Sequence, residues 1–164
     1  MNRPGINVLA RNPLLHIADD FHIDENTTSC PVDFAGFVGL LISRETIQTV
    51  GIVSREFFIY SDDTYYTLSI SRNLGRIRYC SDLTVIHDCK RSSVRLVHHD
   101  AVRLERDVIN KIIMIREYSR FKSLYIVLYI GRLLLINPKL SVKILRAALK
   151  GIDADLTLYR NEAL

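Results

Sequence analysis

The residues after about position 100 have apolar side chains at helical spacing, and this predicts that the C-terminal part of the fold is helical. In residues 100–118 apolar side chains recur at helical spacing, and residues 124–136 are apolar on nearly every side. Pro138 ends that 13-residue segment, and residues 140–149 combine apolar with basic side chains before Gly151. A span of ~20 residues is needed to cross a bilayer, and this segment is shorter and contains Arg132. The pattern therefore predicts helices that pack in the core or lie at a membrane surface.

The residues before position 90 mix strand-like and helical segments. A nearly continuous apolar run, interrupted by Gly36 and Gly39, predicts a buried strand over residues 32–42. Residues 76–79 and 83–87 are also strand-like. Two helices are predicted, each with a serine N-cap and a closing glycine, over residues 44–50 (Ser43 and Gly51) and residues 62–73 (Ser61 and Gly75). With residues 1–30 irregular, these segments indicate an α/β domain with few strands and a C-terminal helical segment.

Length and composition restrict the class of protein. The chain has 164 residues, of which 48% are hydrophobic and 24% charged, so it is expected to fold as one ordinary domain. Three cysteines, Cys30, Cys80 and Cys89, are too few for a disulfide framework and indicate a reducing compartment. The first 20 residues have no continuous apolar core of a secretory signal, which predicts a cytoplasmic location.

Charge is distributed unevenly along the chain. Residues 1–89 carry 7 Lys and Arg against 11 Asp and Glu, whereas residues 90–164 carry 15 against 7. A split of this kind suggests that the C-terminal part meets an anionic partner, either nucleic acid or a lipid surface. A solvated basic face on a helical segment explains the same counts without any partner.

Two short patterns could carry chemistry. Adjacent carboxylates at a helix start, Asp62 and Asp63, can bind a divalent cation or supply a general base, although such acids also stabilise the helix dipole without further function. His87 ends a strand-like run next to Asp88, as a metal ligand with its supporting carboxylate would, but a lone histidine is more often structural. Phosphate-binding loops, zinc-site spacings and nucleophile elbows do not occur in the sequence.

The order of the motifs resembles the C-terminal half of family 2 glycosyltransferases, closest to the bacterial rhamnosyl- and galactofuranosyltransferases that build surface polysaccharides such as the O-antigen of lipopolysaccharide. The resemblance covers roughly residues 30–150. Its motifs are VDFAGFVGLLISRE (residues 32–45), FFIYSDD (57–63), NLGRI (73–77) and VIH (85–87).

This resemblance implies a fold, a reaction and its residues. The fold would be part of the type A, Rossmann-like glycosyltransferase domain. Asp63 would be the general base that deprotonates the acceptor hydroxyl, with Asp62 beside it at the acceptor site. His87, 24 positions after Asp63, would ligate the manganese or magnesium ion on the nucleotide diphosphate sugar donor. The acceptor would be a lipid-linked sugar or polysaccharide, and the anomeric carbon would be inverted.

The sequence departs from the family pattern in two ways. Where the family has Asp-Asp-x-acid-Tyr-x-Leu-Arg, this chain has DDTYYTLS, so Tyr65 replaces an acid and Ser69 replaces an arginine. The nucleotide-binding half with its Asp-x-Asp motif has no counterpart before Asp33. The chain is therefore interpreted as a truncated or split enzyme, with an irregular segment (residues 1–30), an acceptor and metal half (31–99) and a basic amphipathic helical tail (100–164).

Three hypotheses remain open from the sequence. The first is a glycosyltransferase, complete only with a separate N-terminal half, peripheral at the inner face of the bacterial plasma membrane through its basic tail. The second is an inactive remnant that only binds an anionic membrane surface or a partner. Nucleic-acid binding is the least favoured, because Tyr118, Tyr125 and Tyr129 lie among apolar residues and not between Lys and Arg.

Overall fold

A computed structural model describes residues 29–57, 60–75, 77–86 and 101–160. These residues form two compact units. The first contains residues 29–53, 63–75 and 77–86, and the second contains residues 54–57, 60–62 and 101–160. The described chain is a mixed α/β protein, as the sequence predicts at this coarse level, and helices make up most of it.

The first unit contains a two-stranded antiparallel sheet. Strand β1 (Ser29–Val32) pairs with β2 (Ile77–Cys80), and Val32 lies opposite Ile77. The strand predicted over residues 76–79 is thus confirmed within one residue. Ser29 and Cys30 belong to β1, so the prediction of irregular structure up to residue 30 is wrong at its end.

The strand predicted over residues 32–42 is wrong beyond Val32. Residues 33–43 are irregular, and Gly39 has a φ of 76°, a left-handed conformation that interrupts an extended strand. Within this segment Phe34 is buried, whereas Leu41 is 85% exposed. The described part of the second predicted strand, residues 83–86, is also irregular and exposed.

Two helices complete the first unit, one of them without its first residue, and local capping explains most of their ends. Helix α1 (Arg44–Val50) begins after Ser43, whose hydroxyl accepts a hydrogen bond from the amide of Thr46, and ends at Gly51 with a φ of 83°. Helix α2 (Asp62–Leu74) ends before Gly75, which has a φ of 104°. The predicted bounds of both helices are confirmed within one residue.

The second unit is a helical layer. Helices α3 (Ala101–Tyr118), α4 (Lys122–Ile136) and α5 (Ser141–Asp153) follow one another, with 3-10 turns at Pro138–Leu140 and Leu156–Tyr159. The core lies between α3 and α5, where Ile112, Ile113 and Ile144 are completely buried. The predicted helical C-terminal segment is therefore confirmed for the described residues.

Helix α5 continues through Gly151, where the sequence predicts its end. A β-carbon at Gly151 would stand 3.0 Å from Cβ of Ile112, so the missing side chain allows α3 and α5 to approach closely. Arg116 of α3 then donates two hydrogen bonds, to the carbonyl oxygens of Gly151 (2.8 Å) and Ala154 (2.7 Å). These contacts satisfy carbonyl groups at the C-terminus of α5 that have no partner within the helix.

Among the described helices, none is both long enough and apolar enough to cross a membrane by itself. Helix α4 together with residues 138–153 reaches the required length and composition, but the two parts are bent by 114° at the break between them.

Candidate functional site

One face of helix α2 carries Asp63, Thr67 and Ser71 at intervals of four residues. The chain segment of residues 33–36 runs along this face. The Ser71 hydroxyl donates to the carbonyl oxygen of Asp33, and the amide of Ala35 donates to Oγ1 of Thr67 at 3.1 Å. These bonds fix the segment against the helix and bring its next residue to Asp63.

The two oxygens of the Asp63 carboxylate have different surroundings. Oδ1 accepts hydrogen bonds from the Thr64 amide at 2.6 Å and from the Thr64 hydroxyl at 3.3 Å. Oδ2 faces Gly36, where a β-carbon would stand 3.3 Å away. The side chain is half-buried, so one oxygen is held by the helix and the other lies beside the residue that has no side chain.

The predicted N-cap of α2 is not formed in the usual way. Ser61 has a φ of 63°, whereas an N-cap residue normally has extended φ and ψ angles. Among the described contacts, the amide of Thr64 that such a cap would bind donates instead to Asp63. Asp62, the first residue of the helix, is half-buried.

Within the second unit, the turn that precedes α2 has a strained backbone. Tyr60 has a φ of 65°, so two consecutive residues with side chains, Tyr60 and Ser61, are left-handed. Each such residue costs about 1–2 kcal/mol. The buried Asn110 of α3 donates from Nδ2 to the carbonyl oxygen of Tyr60 at 2.7 Å and helps to hold the turn. Strain that is maintained in this way is often found next to functional residues.

The two departures from the family pattern lie on the buried side of α2. Tyr65 and Ser69 are one helical turn apart, and both are buried. The Ser69 hydroxyl donates to the carbonyl oxygen of Tyr66 at 2.7 Å. Both positions are uncharged here, so neither places an isolated charge in the interior of the first unit.

The predicted metal ligand His87 lies outside the described residues. Within the described ranges, no three His, Cys, Asp or Glu side chains group together in a way that could hold a metal ion. Of the predicted site residues, Asp62 and Asp63 are the first two residues of α2.

Sequence reasoning missed the role of Thr67 and the position of Gly36 relative to Asp63. Thr67 is completely buried, and its hydroxyl also donates to the carbonyl oxygen of Asp63 at 2.7 Å. The spacing of Asp63, Thr67 and Ser71 at intervals of four residues was visible in the sequence, but α2 also carries polar residues on its other faces, so the spacing did not stand out. The partner segment was not visible, because residues 32–42 have the composition of a strand.

Comparison of the chain with protein families, characterised proteins and solved structures finds no match.

Proposed function

We propose that this chain is the acceptor-side half of an inverting glycosyltransferase of surface polysaccharide synthesis. It would act with a nucleotide-binding half supplied by sequence outside residues 30–150. The observation that carries this proposal is the carboxylate of Asp63, with Oδ1 fixed by Thr64 and Oδ2 facing Gly36. A general base needs a fixed orientation and an oxygen that the acceptor hydroxyl can reach, and glycine at position 36 leaves no side chain against Oδ2.

The reaction assigned to Asp63 is a single displacement. Oδ2 of Asp63 accepts the proton of an acceptor sugar hydroxyl, and the hydroxyl oxygen forms a bond to the anomeric carbon of the donor. The bond from that carbon to the diphosphate oxygen breaks, and its electron pair leaves with the nucleoside diphosphate. Attack opposite the leaving group inverts the anomeric carbon, and proton removal by a placed carboxylate contributes typically about 10²–10⁴-fold in rate.

The resemblance also implies a manganese or magnesium ion, which offsets charge on the departing diphosphate when it is bound. His87 would be a ligand of that ion. One imidazole is too few ligands for an ion that prefers octahedral coordination, so His87 fits only as part of a set completed by the diphosphate and the nucleotide-binding half.

Exposed apolar side chains in the first unit support the proposal that a nucleotide-binding half packs against it. Leu41 is 85% exposed and Ile86 is 89% exposed, in segments that contact each other through Gly39 and Val85. Soluble monomers rarely expose groups of large apolar side chains, which usually mark an interface. We propose that the nucleotide-binding half covers this surface.

The test is transfer by the full chain, alone and co-expressed with the product of the neighbouring reading frame. Release of uridine or thymidine diphosphate is measured from a panel of sugar donors with manganese and lipid-linked acceptors. Asp63→Asn should lower transfer by about 10²–10⁴-fold. The amide oxygen of asparagine can still accept the Thr64 hydrogen bond, so stability should fall by only about 0.3–1 kcal/mol through the lost charge at the helix start.

Asp155→Asn is a matched control for this variant. Oδ1 of Asp155 accepts hydrogen bonds from the amide and the hydroxyl of Thr157, as Oδ1 of Asp63 does from Thr64, but Asp155 is an exposed residue at a 3-10 turn. Its variant should transfer sugar at the wild-type rate. Equal rates for both variants and the wild type would remove Asp63 as the base.

Two further variants separate the access of the acceptor to Asp63 from the coordination of the metal ion by His87. Gly36→Ala places a methyl group 3.3 Å from Oδ2 of Asp63, closer than ordinary van der Waals contact, and should weaken acceptor use by displacing or covering that oxygen. His87→Ala should weaken manganese binding measured by calorimetry, and an unchanged affinity would reject that ligand.

The second candidate function is an inactive remnant that binds only a membrane or a partner. The absence of charge at Tyr65 and Ser69 favours it, since the family places an acid and an arginine at these positions. No release of nucleotide by the chain or by the co-expressed pair, with both folded, would select this alternative.

A further inference from the structure

Helix α4 exposes an apolar stripe along its whole length. The exposed side chains follow helical spacing, and Leu135 is 84% exposed and Val127 66% exposed. The full stripe, including the residue before the helix, is Phe121, Leu124, Val127, Leu128 and Leu135. A surface helix normally has polar residues on its outer face. The opposite side of α4 is already buried through Tyr125, Ile126 and Tyr129, so core packing does not explain the stripe.

Helix α5 exposes a second apolar row with basic residues beside it. Ile144, Ala147, Ala148 and Gly151 are the buried side of this helix. Each of three exposed apolar residues is followed immediately by an exposed basic residue, in the pairs Val142 and Lys143, Leu145 and Arg146, and Leu149 and Lys150. The exposed surface of α5 is therefore amphipathic in itself, with an apolar row next to a cationic row.

Nearly all the charge on these two helices is positive, and Asp153, the exposed last residue of α5, is the acidic exception. Residues 118–152 contain seven basic residues and no acidic residue. They are Arg120, Lys122, Arg132, Lys139, Lys143, Arg146 and Lys150. Of the described acidic side chains, Glu105 of α3 forms an ion pair with Lys150. A partner of this surface must be apolar inside and anionic at its boundary.

We propose that α4 and α5 form a docking surface for an anionic lipid bilayer, with the apolar stripe at the acyl boundary and the basic residues at the phosphates. Helix α4 has 15 residues and is about 22 Å long, shorter than the bilayer hydrocarbon core of about 30 Å, so it lies in the plane of the interface. Arg132, inside the stripe, reaches the phosphates with its guanidinium group while its stem stays with the apolar side chains. This inference stands on α4 and α5 alone and does not depend on the chemistry of Asp63.

Two other occupants fit the surface less well. A second copy of the chain would bring two sets of seven cations together, and like charges across an interface are strongly unfavourable. Single-stranded nucleic acid is bound through accessible aromatic rings, but Tyr125 and Tyr129 are buried.

The experiment is flotation of the full chain with vesicles of pure phosphatidylcholine or of equimolar phosphatidylcholine and phosphatidylglycerol. The wild type should float with the anionic vesicles and much less with the neutral ones. Leu135→Glu should weaken binding by about tenfold or more, since it removes an apolar side chain from the acyl boundary and adds a charge there. Lys143→Gln and Arg146→Gln should each weaken binding to anionic vesicles by about fivefold, and added salt should reduce these differences.

Matched controls are taken from outside the surface. Val102→Glu changes an apolar residue of α3 that is 63% exposed, and Arg44→Gln removes an exposed basic residue of α1. Both should float as the wild type does. Equal flotation of Leu135→Glu and Val102→Glu would overturn the proposal. Failure of the folded wild type to float with the anionic vesicles would also overturn it. If the wild type then self-associates in lipid-free solution and Leu135→Glu abolishes this, the stripe is assigned to a second copy.

Discussion

Two glycines inside helices allow a direct test of the packing between α3 and α5. A β-carbon on Gly151 of α5 would stand 3.0 Å from Cβ of Ile112, 3.1 Å from its Cγ2 and 3.2 Å from the carbonyl oxygen of Ile109. A β-carbon on Gly131 of α4 would meet no described atom within 4 Å. Substitution by alanine is therefore the same covalent change in two opposite surroundings.

The expected free energies of unfolding follow from two opposing effects. Alanine is favoured over glycine inside a helix by about 0.8–1.0 kcal/mol, so Gly131→Ala should stabilise the protein by about that amount. Overpacking a close contact costs typically about 1–3 kcal/mol. Ile112 is completely buried, and neither its β-carbon nor a backbone carbonyl can rotate away. Gly151→Ala should therefore destabilise the protein by about 1 kcal/mol net.

The assay is urea unfolding followed by the helical circular dichroism signal. The helix-propensity gain is common to both variants, so the difference between their unfolding free energies reports the overpacking cost alone, about 1–3 kcal/mol. If both variants raise the unfolding midpoint equally, α3 and α5 do not approach each other closely at Gly151.

Three smaller predictions concern buried hydroxyls and the strained turn. The Tyr66 hydroxyl donates to the carbonyl oxygen of Gly51 at 2.7 Å, whereas the buried Tyr129 hydroxyl has no hydrogen-bond partner among the described residues. In thermal melts, Tyr66→Phe should cost about 1 kcal/mol and Tyr129→Phe should be neutral or stabilising. Burial, and secondarily the negative charge of Asp107, raises the pKa of Tyr129. Above about pH 10 unfolded tyrosine loses its proton whereas folded Tyr129 keeps it. The free energy of unfolding should therefore be constant below about pH 10 and decrease above it, and the decrease should be smaller in Tyr129→Phe. Ser61→Gly should relieve a left-handed residue and stabilise the protein by up to about 1 kcal/mol, a gain that Ser61→Ala should not give.

Local signals in the sequence predicted local structure well. Helix α1 lies where Ser43 and Gly51 predict it, because a capping hydroxyl and a left-handed glycine act within one turn of the chain. Helix α2 and strand β2 are also within one residue of their predicted bounds. The caps of α1 and the glycine that ends α2 act on neighbours in sequence, so the sequence contains what is needed to place them, whereas β2 also needs its pairing with the distant strand β1.

Features that depend on distant neighbours were predicted less well. Residues 33–36 have a strand-like composition, but hydrogen bonds to Thr67 and Ser71 hold them along a helix face instead. Gly151 looked like the end of a helix because glycine commonly ends helices, but here its role is to allow contact with α3. In both cases tertiary contacts override the local preference, and a single sequence does not show them.

The acidic pair at the start of α2 has two explanations, and they make different demands on the surrounding chain. Stabilisation of the helix dipole needs only negative charge in the first turn, and Oδ1 of Asp63 already meets that need through Thr64. It requires nothing at position 36. A general base needs access to the second oxygen, and Gly36 lies where any side chain would contact Oδ2. The dipole explanation therefore accounts for the charge of Asp63, whereas the position of Gly36 favours the proposed catalytic role.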